Sequence, residues 1–170
     1  QADPYLSSYD SWLSTISLSR KLNRDWTALV RNYYLLNNFG SATAKRYENR
    51  FQLGFAYRDT DTNRVNTLFR YEYWRRRDPV LQAVADASAQ PLSDGYLKHI
   101  ASLVSDWHPN RNWWLTGRLA GKRQTDHFAG GDSRFRAWLA GGRITYGLSE
   151  RWDVSALAYR MWSPRINSQN

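Results

Sequence analysis

From Asn49 to Arg58 two sets of residues interleave: Phe51, Leu53, Phe55 and Tyr57 on one parity, and Arg50, Gln52, Gly54, Ala56 and Arg58 on the other. Period two is the period of a β-strand, whose successive side chains leave opposite faces. The alternation recurs along the chain and predicts about eight strands, over residues 11 to 21, 25 to 37, 46 to 59, 64 to 76, 95 to 107, 112 to 124, 134 to 147 and 151 to 162. A soluble sheet would bury its ring-bearing face under a second layer. Here no amphipathic helix or continuous apolar strand stands ready to cover it.

Extending the parity gives each strand two faces. Ile16, Leu18, Trp26, Ala28, Val30, Tyr34, Leu36, Phe51, Leu53, Phe55, Tyr57, Phe69, Tyr71, Leu115, Leu119, Trp138, Ile144, Tyr146 and Val154 fall on the ring face. Arg31, Arg50, Arg58, Arg70, Glu72, Arg76, Arg118, Lys122, Arg143 and Asp153 fall on the other. Asn32 and Arg160 break the ring-face register, and the strand from Lys98 to Trp107 is ambiguous. The economical solution is a sheet closed on itself in lipid, apolar outside and polar inside. An arginine facing lipid at mid-bilayer would cost about 2 to 4 kcal/mol, which puts Arg160 at a rim.

The connections sharpen this picture. Four are short and polar, around Leu22–Arg24, Asp59–Asn63, His108–Arg111 and Leu148–Glu150. They alternate with longer ones around 38–45, 77–94 and 125–133, the pattern of a meander with trimmed periplasmic turns and larger outer loops. Three short turns run directly into Trp26, Trp113 and Trp152, which predicts an aromatic girdle at one height. Tyr34, Tyr47, Tyr73 and Trp138 are candidates for the opposite girdle or the loop bases. The distances from Trp26 to Val65 and from Trp113 to Trp152 are both 39 residues, so a hairpin-pair unit repeats. The segment from Asp78 to Asp94 alone has helical spacing (Val80, Leu81, Val84, Ala85). It predicts an outer loop with a helical turn, with a plug folding into the lumen as the alternative.

Composition fits one domain with unusual demands. The 170 residues are only 42% hydrophobic, yet include nine Trp and eleven Tyr against one Met, which suits side chains placed at two membrane–water interfaces. No apolar run is long enough for a spanning helix. Cysteine is absent, excluding disulfides, thiolate metal sites and cysteine nucleophiles. A net charge of +9 points to anionic partners, whether nucleic acid, lipopolysaccharide phosphates or permeating anions.

Catalytic chemistry finds little support. His99, His108 and His127 lack metal-ligand spacing. A Ser-His-acid set could draw on His99, Ser102 or Ser105, and Asp106, but nothing local recommends it. Gly117, Gly121, Gly141 and Gly142 are read as bends or close packing in a curved wall. The run Arg75-Arg76-Arg77, beside Tyr71, Tyr73 and Trp74, sits where a strand enters a long loop and suits contact with lipopolysaccharide phosphates. Single-stranded nucleic acid would need arginines and rings on one face, whereas here they lie on opposite faces.

The stretches Glu48–Arg64, Asp106–Ala120 and Glu150–Val154 resemble the C-terminal barrel region of large Gram-negative surface proteins that carry extracellular repeats, often labelled OmpA-like or TonB-receptor-like. The resemblance covers most of the chain and implies an outer-membrane anchor without catalytic residues. Barrels of that kind continue into further strands rich in Trp, Gly and Tyr, which implies that added or partner strands complete the wall.

The sequence therefore predicts an all-β, antiparallel, up-and-down transmembrane β-barrel or barrel fragment, one domain over residues 1–170. Its expected location is the cell outer membrane, and its expected role is a membrane anchor or a porin-like, passive, anion-favouring pore. Neither an enzyme nor a cofactor or metal is expected. The lumen-lining candidates are Arg31, Arg50, Arg58, Arg70, Glu72, Arg118, Lys122, Arg143 and Asp153. The membrane-interface candidates are Trp26, Trp113, Trp152, Tyr34, Tyr73 and Trp138. Expected partners are the lipid bilayer, lipopolysaccharide and additional barrel strands or a second chain, and not nucleic acid. The competing reading is a soluble β-barrel or sandwich that binds an acidic ligand.

Overall fold

A computed structural model of the chain describes residues 9–39, 45–78, 93–128 and 131–164. They form eight antiparallel strands: β1 (Tyr9–Lys21), β2 (Trp26–Phe39), β3 (Lys45–Arg58), β4 (Val65–Arg77), β5 (Gly95–Asn110), β6 (Trp113–Phe128), β7 (Gly131–Ser149) and β8 (Trp152–Trp162). Sequence neighbours are also sheet neighbours, so the strands make one up-and-down meander in the order β1 to β8. Among the described residues there is no helix. The proposed helical turn or plug at 79–92 lies outside the described residues.

Each short turn is set by a side chain that stands in for backbone, as Asx and Ser turns do. Asn23 Oδ1 accepts from the amides of Asp25 and Trp26 at 2.9 and 2.8 Å. Asn110 Oδ1 repeats the device with Asn112 and Trp113, at 3.0 and 3.2 Å. Asp59 Oδ1 accepts from Asp61 and Thr62, each at 3.2 Å, and Ser149 Oγ accepts from the Arg151 amide at 3.3 Å. Asn63 takes a left-handed φ of 53°, a conformation that asparagine tolerates better than most residues. These turns release the chain at Trp26, Val65, Trp113 and Trp152, the first residues of the four even strands.

Two expected connections differ from the structure. The long loop expected over 125–133 shrinks, because Thr125–Phe128 pair with Gly131–Arg134 and carry the β6–β7 hairpin almost to its tip. The turn expected at His108–Arg111 moves outward: β5 continues to Asn110 through an irregularity after Trp107, leaving Arg111 and Asn112 to make the bend. Ladder pairing outlasted the apolar alternation in both places. Polar residues continue a strand whenever the neighbouring strand supplies partners.

The sheet is not closed. Among the described residues no ladder joins β1 to β8, so each presents one unpaired edge. No large side chain among the described residues is fully buried. The described strands form a single layer with two chemically different faces.

Candidate functional site

Ladder partners share a face, so the register assigns every strand residue to a side. One row runs Ser17, Arg31, Gln52, Glu72, Ile100, Lys122 and Ala137 across β1 to β7. The opposite parity gives rows such as Ala28, Phe55, Phe69, Leu103, Leu119 and Ala140. Arg31, Arg50, Arg58, Arg70, Glu72, Arg118, Lys122, Arg143 and Asp153 all lie on the first of these faces, as does Arg76. The sequence pattern brought these residues to one side although they come from six strands.

At the centre of that polar face sits Glu72, with only 6% of its side chain exposed. Gln52 Nε2 donates to its Oε2 at 2.7 Å, and Arg50 Nη2 does so at 3.1 Å. Arg50 also lies over the ring of Trp74, 4.9 Å from its centroid, and Lys98 Nζ approaches the same ring at 4.7 Å. Tyr96 adds a second ring 3.6 Å from Lys98 Nζ, and Trp74 Nε1 donates to Glu48 at 3.1 Å. Nearer the long-loop end, Asp78 is held by Arg46 at 3.2 Å and Arg76 at 2.9 Å. The other polar-face cations are more open: Arg31, Arg70 and Arg118 are exposed, and Arg143 donates to Ser155 Oγ at 3.2 Å. Arg58 donates to Asn63 at 3.1 Å. Asp106 receives the Thr116 hydroxyl at 2.7 Å rather than an arginine.

Glu48, Trp74, Tyr96 and Lys98 were not singled out for this face by sequence reasoning. Trp74 shares the parity of Arg70 and Glu72, a signal obscured by its place in a Tyr-Glu-Tyr-Trp run. Lys98 belongs to the strand whose alternation was ambiguous. The polar face is also partly apolar toward both edges: Leu13 and Leu29 share the parity of Ser17 and Arg31, and Leu157 and Met161 that of Asp153, and all four are exposed. On this side β8 departs from simple alternation.

The ring face carries the interface candidates. Trp26 packs against Tyr57 with centroids 5.0 Å apart, and Trp113 against Tyr146 at 4.6 Å. Trp152, the first residue of β8, is exposed. These three tryptophans open their strands at the short-turn end. Tyr34 meets Trp12 edge-on at 5.7 Å, Tyr73 meets His99 at 5.4 Å, and Trp138 lies over Gly121. Asn32 sits between Ile16 and Phe51 on this face, and Arg160 lies on it two residues before the end of β8.

Outside the strands, the first two short turns are tied together. Thr60 donates to Asp25 through its hydroxyl at 2.5 Å and its amide at 3.1 Å, while Arg24 contacts both Thr60 and Asp61. These Thr60 hydrogen bonds hold the Asp25 carboxyl below its ordinary range, and the Thr62 hydroxyl and amide do the same for Asp59.

The structure does not assemble the Ser-His-acid set. His99 and Ser105 lie on the ring face, where they bond Tyr71 and Thr67, whereas Ser102 and Asp106 lie on the polar face. Among the described residues no three His, Asp or Glu side chains converge as a metal site. No protein-family model matches the chain, and no curated protein or solved structure is significantly similar to it.

Proposed function

We propose that this chain is the wall of an outer-membrane β-barrel that serves as a membrane anchor, with a polar inner face. The observation that carries the reading is the division of the middle rows of one uncovered sheet into a face of rings and leucines, such as Phe55–Phe69–Leu103–Leu119, and a face carrying Arg31, Gln52, Glu72 and Lys122. Water would reject the first face if it were left bare, and hydrocarbon would reject the second. The three tryptophans opening β2, β6 and β8 suit an interfacial girdle. The resemblance to the barrel region of repeat-bearing surface proteins favours anchoring over transport.

The unpaired edges of β1 and β8 would be costly in lipid, where each unsatisfied backbone group costs several kcal/mol. In this reading further strands added along those edges complete the wall. Two activities share this architecture. The Glu72 cluster, with Arg50, Gln52 and Trp74 packed about it, supports a filled interior. Exposed Arg31, Arg70 and Arg118 support an anion-favouring passage.

The test begins with refolding into detergent and neutral lipid vesicles. The membrane reading expects heat-modifiable gel migration and insertion; a monodisperse protein needing no detergent would instead favour the soluble acidic-ligand binder. Planar-bilayer recording then separates the two activities. Folded protein that inserts and passes no current leaves the anchor alone.

A further inference from the structure

On the ring face of β4 to β7 a groove runs toward the long-loop end. Phe69 and Tyr71 form one wall, Trp138 the other, and Ala101 provides a floor too small to fill it. Trp138 is drawn over this floor because its neighbour is Gly121: a β carbon there would stand 2.7 Å from the indole. The groove comprises two adjoining cavities of about 360 and 310 Å³, the first lined almost wholly by apolar groups. At its outer end the lining changes abruptly. One step beyond the Tyr71–Ala101–Gly121–Trp138 row comes the row Tyr73, His99, Arg123 and Arg136.

Arg123 and Arg136 are direct cross-strand partners, both exposed, and no carboxylate pairs with either among the described residues. Like charges directly opposite one another on a sheet are destabilising. Arg75 and Arg134 continue the positive charge one row farther out, and Asp132, the acid nearest them on this face, is engaged by His127 at 2.8 Å. An anion between the two guanidiniums would convert repulsion into two charge-assisted hydrogen bonds. The apolar trough beneath them has the form of an acyl-chain seat. From the Leu103–Leu119 pair to the His99–Arg123 pair is four residues, about 13 Å of strand.

We propose that this groove is a binding site for a phosphate-bearing lipid of the outer leaflet, with one acyl chain between Tyr71 and Trp138 and a phosphate clamped by Arg123 and Arg136. His99 would support the clamp, its Nδ1 being occupied by the Tyr71 hydroxyl at 2.7 Å, which leaves Nε2 for the ligand. The assignment rests on the reading that the ring face meets lipid.

Native mass spectrometry of the full chain released from detergent tests it, with bisphosphorylated lipid A, the same lipid dephosphorylated, and inorganic phosphate as probes. The site requires one phosphorylated lipid retained about tenfold more tightly than the dephosphorylated form. Arg123→Gln with Arg136→Gln should abolish that preference. Ala101→Leu, which fills the floor and leaves both arginines, should weaken retention several-fold; heat-modifiable migration reports whether each variant has folded. Equal retention of both lipids by the unaltered protein overturns the proposal whatever the variants do. So does displacement of the lipid by millimolar inorganic phosphate, which would mark a bare anion site. A protein that inserts into neutral vesicles yet shows no lipid preference loses this site alone, whereas one that never inserts loses the membrane reading itself.

Discussion

Arg50 reaches diagonally across the β3–β4 ladder to Glu72, its Nη2 3.1 Å from a carboxylate whose residue is almost wholly buried. Removing one member of such a pair leaves the other's charge stranded. Because the Arg50 side chain is itself 40% exposed and Gln52 still bonds Glu72, Arg50→Ala is expected to cost about 2 kcal/mol, below a fully buried pair. Arg50→Met combined with Glu72→Leu should recover most of the loss. Urea unfolding from lipid vesicles measures Arg50→Met, Glu72→Leu and the double variant as a cycle, and additive single effects would show that the two residues act independently.

The glycines of β6 should respond in opposite ways to the same change. At Gly121 a β carbon would run into Trp138, whereas at Gly117 nothing lies within 4 Å. Gly121→Ala should therefore destabilise the folded form by about 1 to 2 kcal/mol. Gly117→Ala should be neutral or stabilising by about 0.5 kcal/mol, through the entropy of the unfolded chain. Comparable losses at both sites would contradict this packing.

Acid should loosen the short-turn end first. Asp25 and Asp59 have carboxyls depressed in the folded state by hydrogen bonds from Thr60 and Thr62. A depressed carboxyl contributes its stability above the unfolded value and loses it as pH falls through the folded value, so the effect is confined below about pH 4. Asp25→Asn should flatten this acid limb, followed as protease sensitivity of the 22–25 and 59–64 turns. An unchanged limb would assign it to other carboxylates.

The free edges admit a direct chemical test, since the chain has no cysteine of its own. With strands other than each other completing the wall, Ile16→Cys and Ala156→Cys should not cross-link within one folded chain. Rapid intramolecular disulfide formation would show an eight-stranded barrel closed by β1 on β8. A dimer held by the same disulfide would identify a second copy as the added wall.

Much of the architecture was legible because its determinants are local. Asn23, Asp59, Asn110 and Ser149 each mark a turn by bonding amides two or three residues on, and the turn fixes where the next strand starts. The β6–β7 loop was misjudged because Thr125–Phe128 look like loop in isolation and become strand only when residues 131–134 lie opposite. The groove beside Trp138 was invisible for a similar reason. Ala101, Gly121 and Trp138 belong to three strands, and only their shared row makes them floor and wall.

By itself the sequence determined the parity of β2, β3 and β4, and with it the side taken by Arg31, Arg50, Arg70 and Glu72, because alternation is a property of consecutive residues; it left β5 ambiguous and did not reveal that Arg123 and Arg136 lie on the ring face. Tertiary structure decided which groups meet: Arg50 with Glu72, Trp74 between two cations, and Arg123 beside Arg136. Those encounters depend on ladder register between strands, and the free edges of β1 and β8 depend on how far the sheet curls, neither of which a single strand encodes.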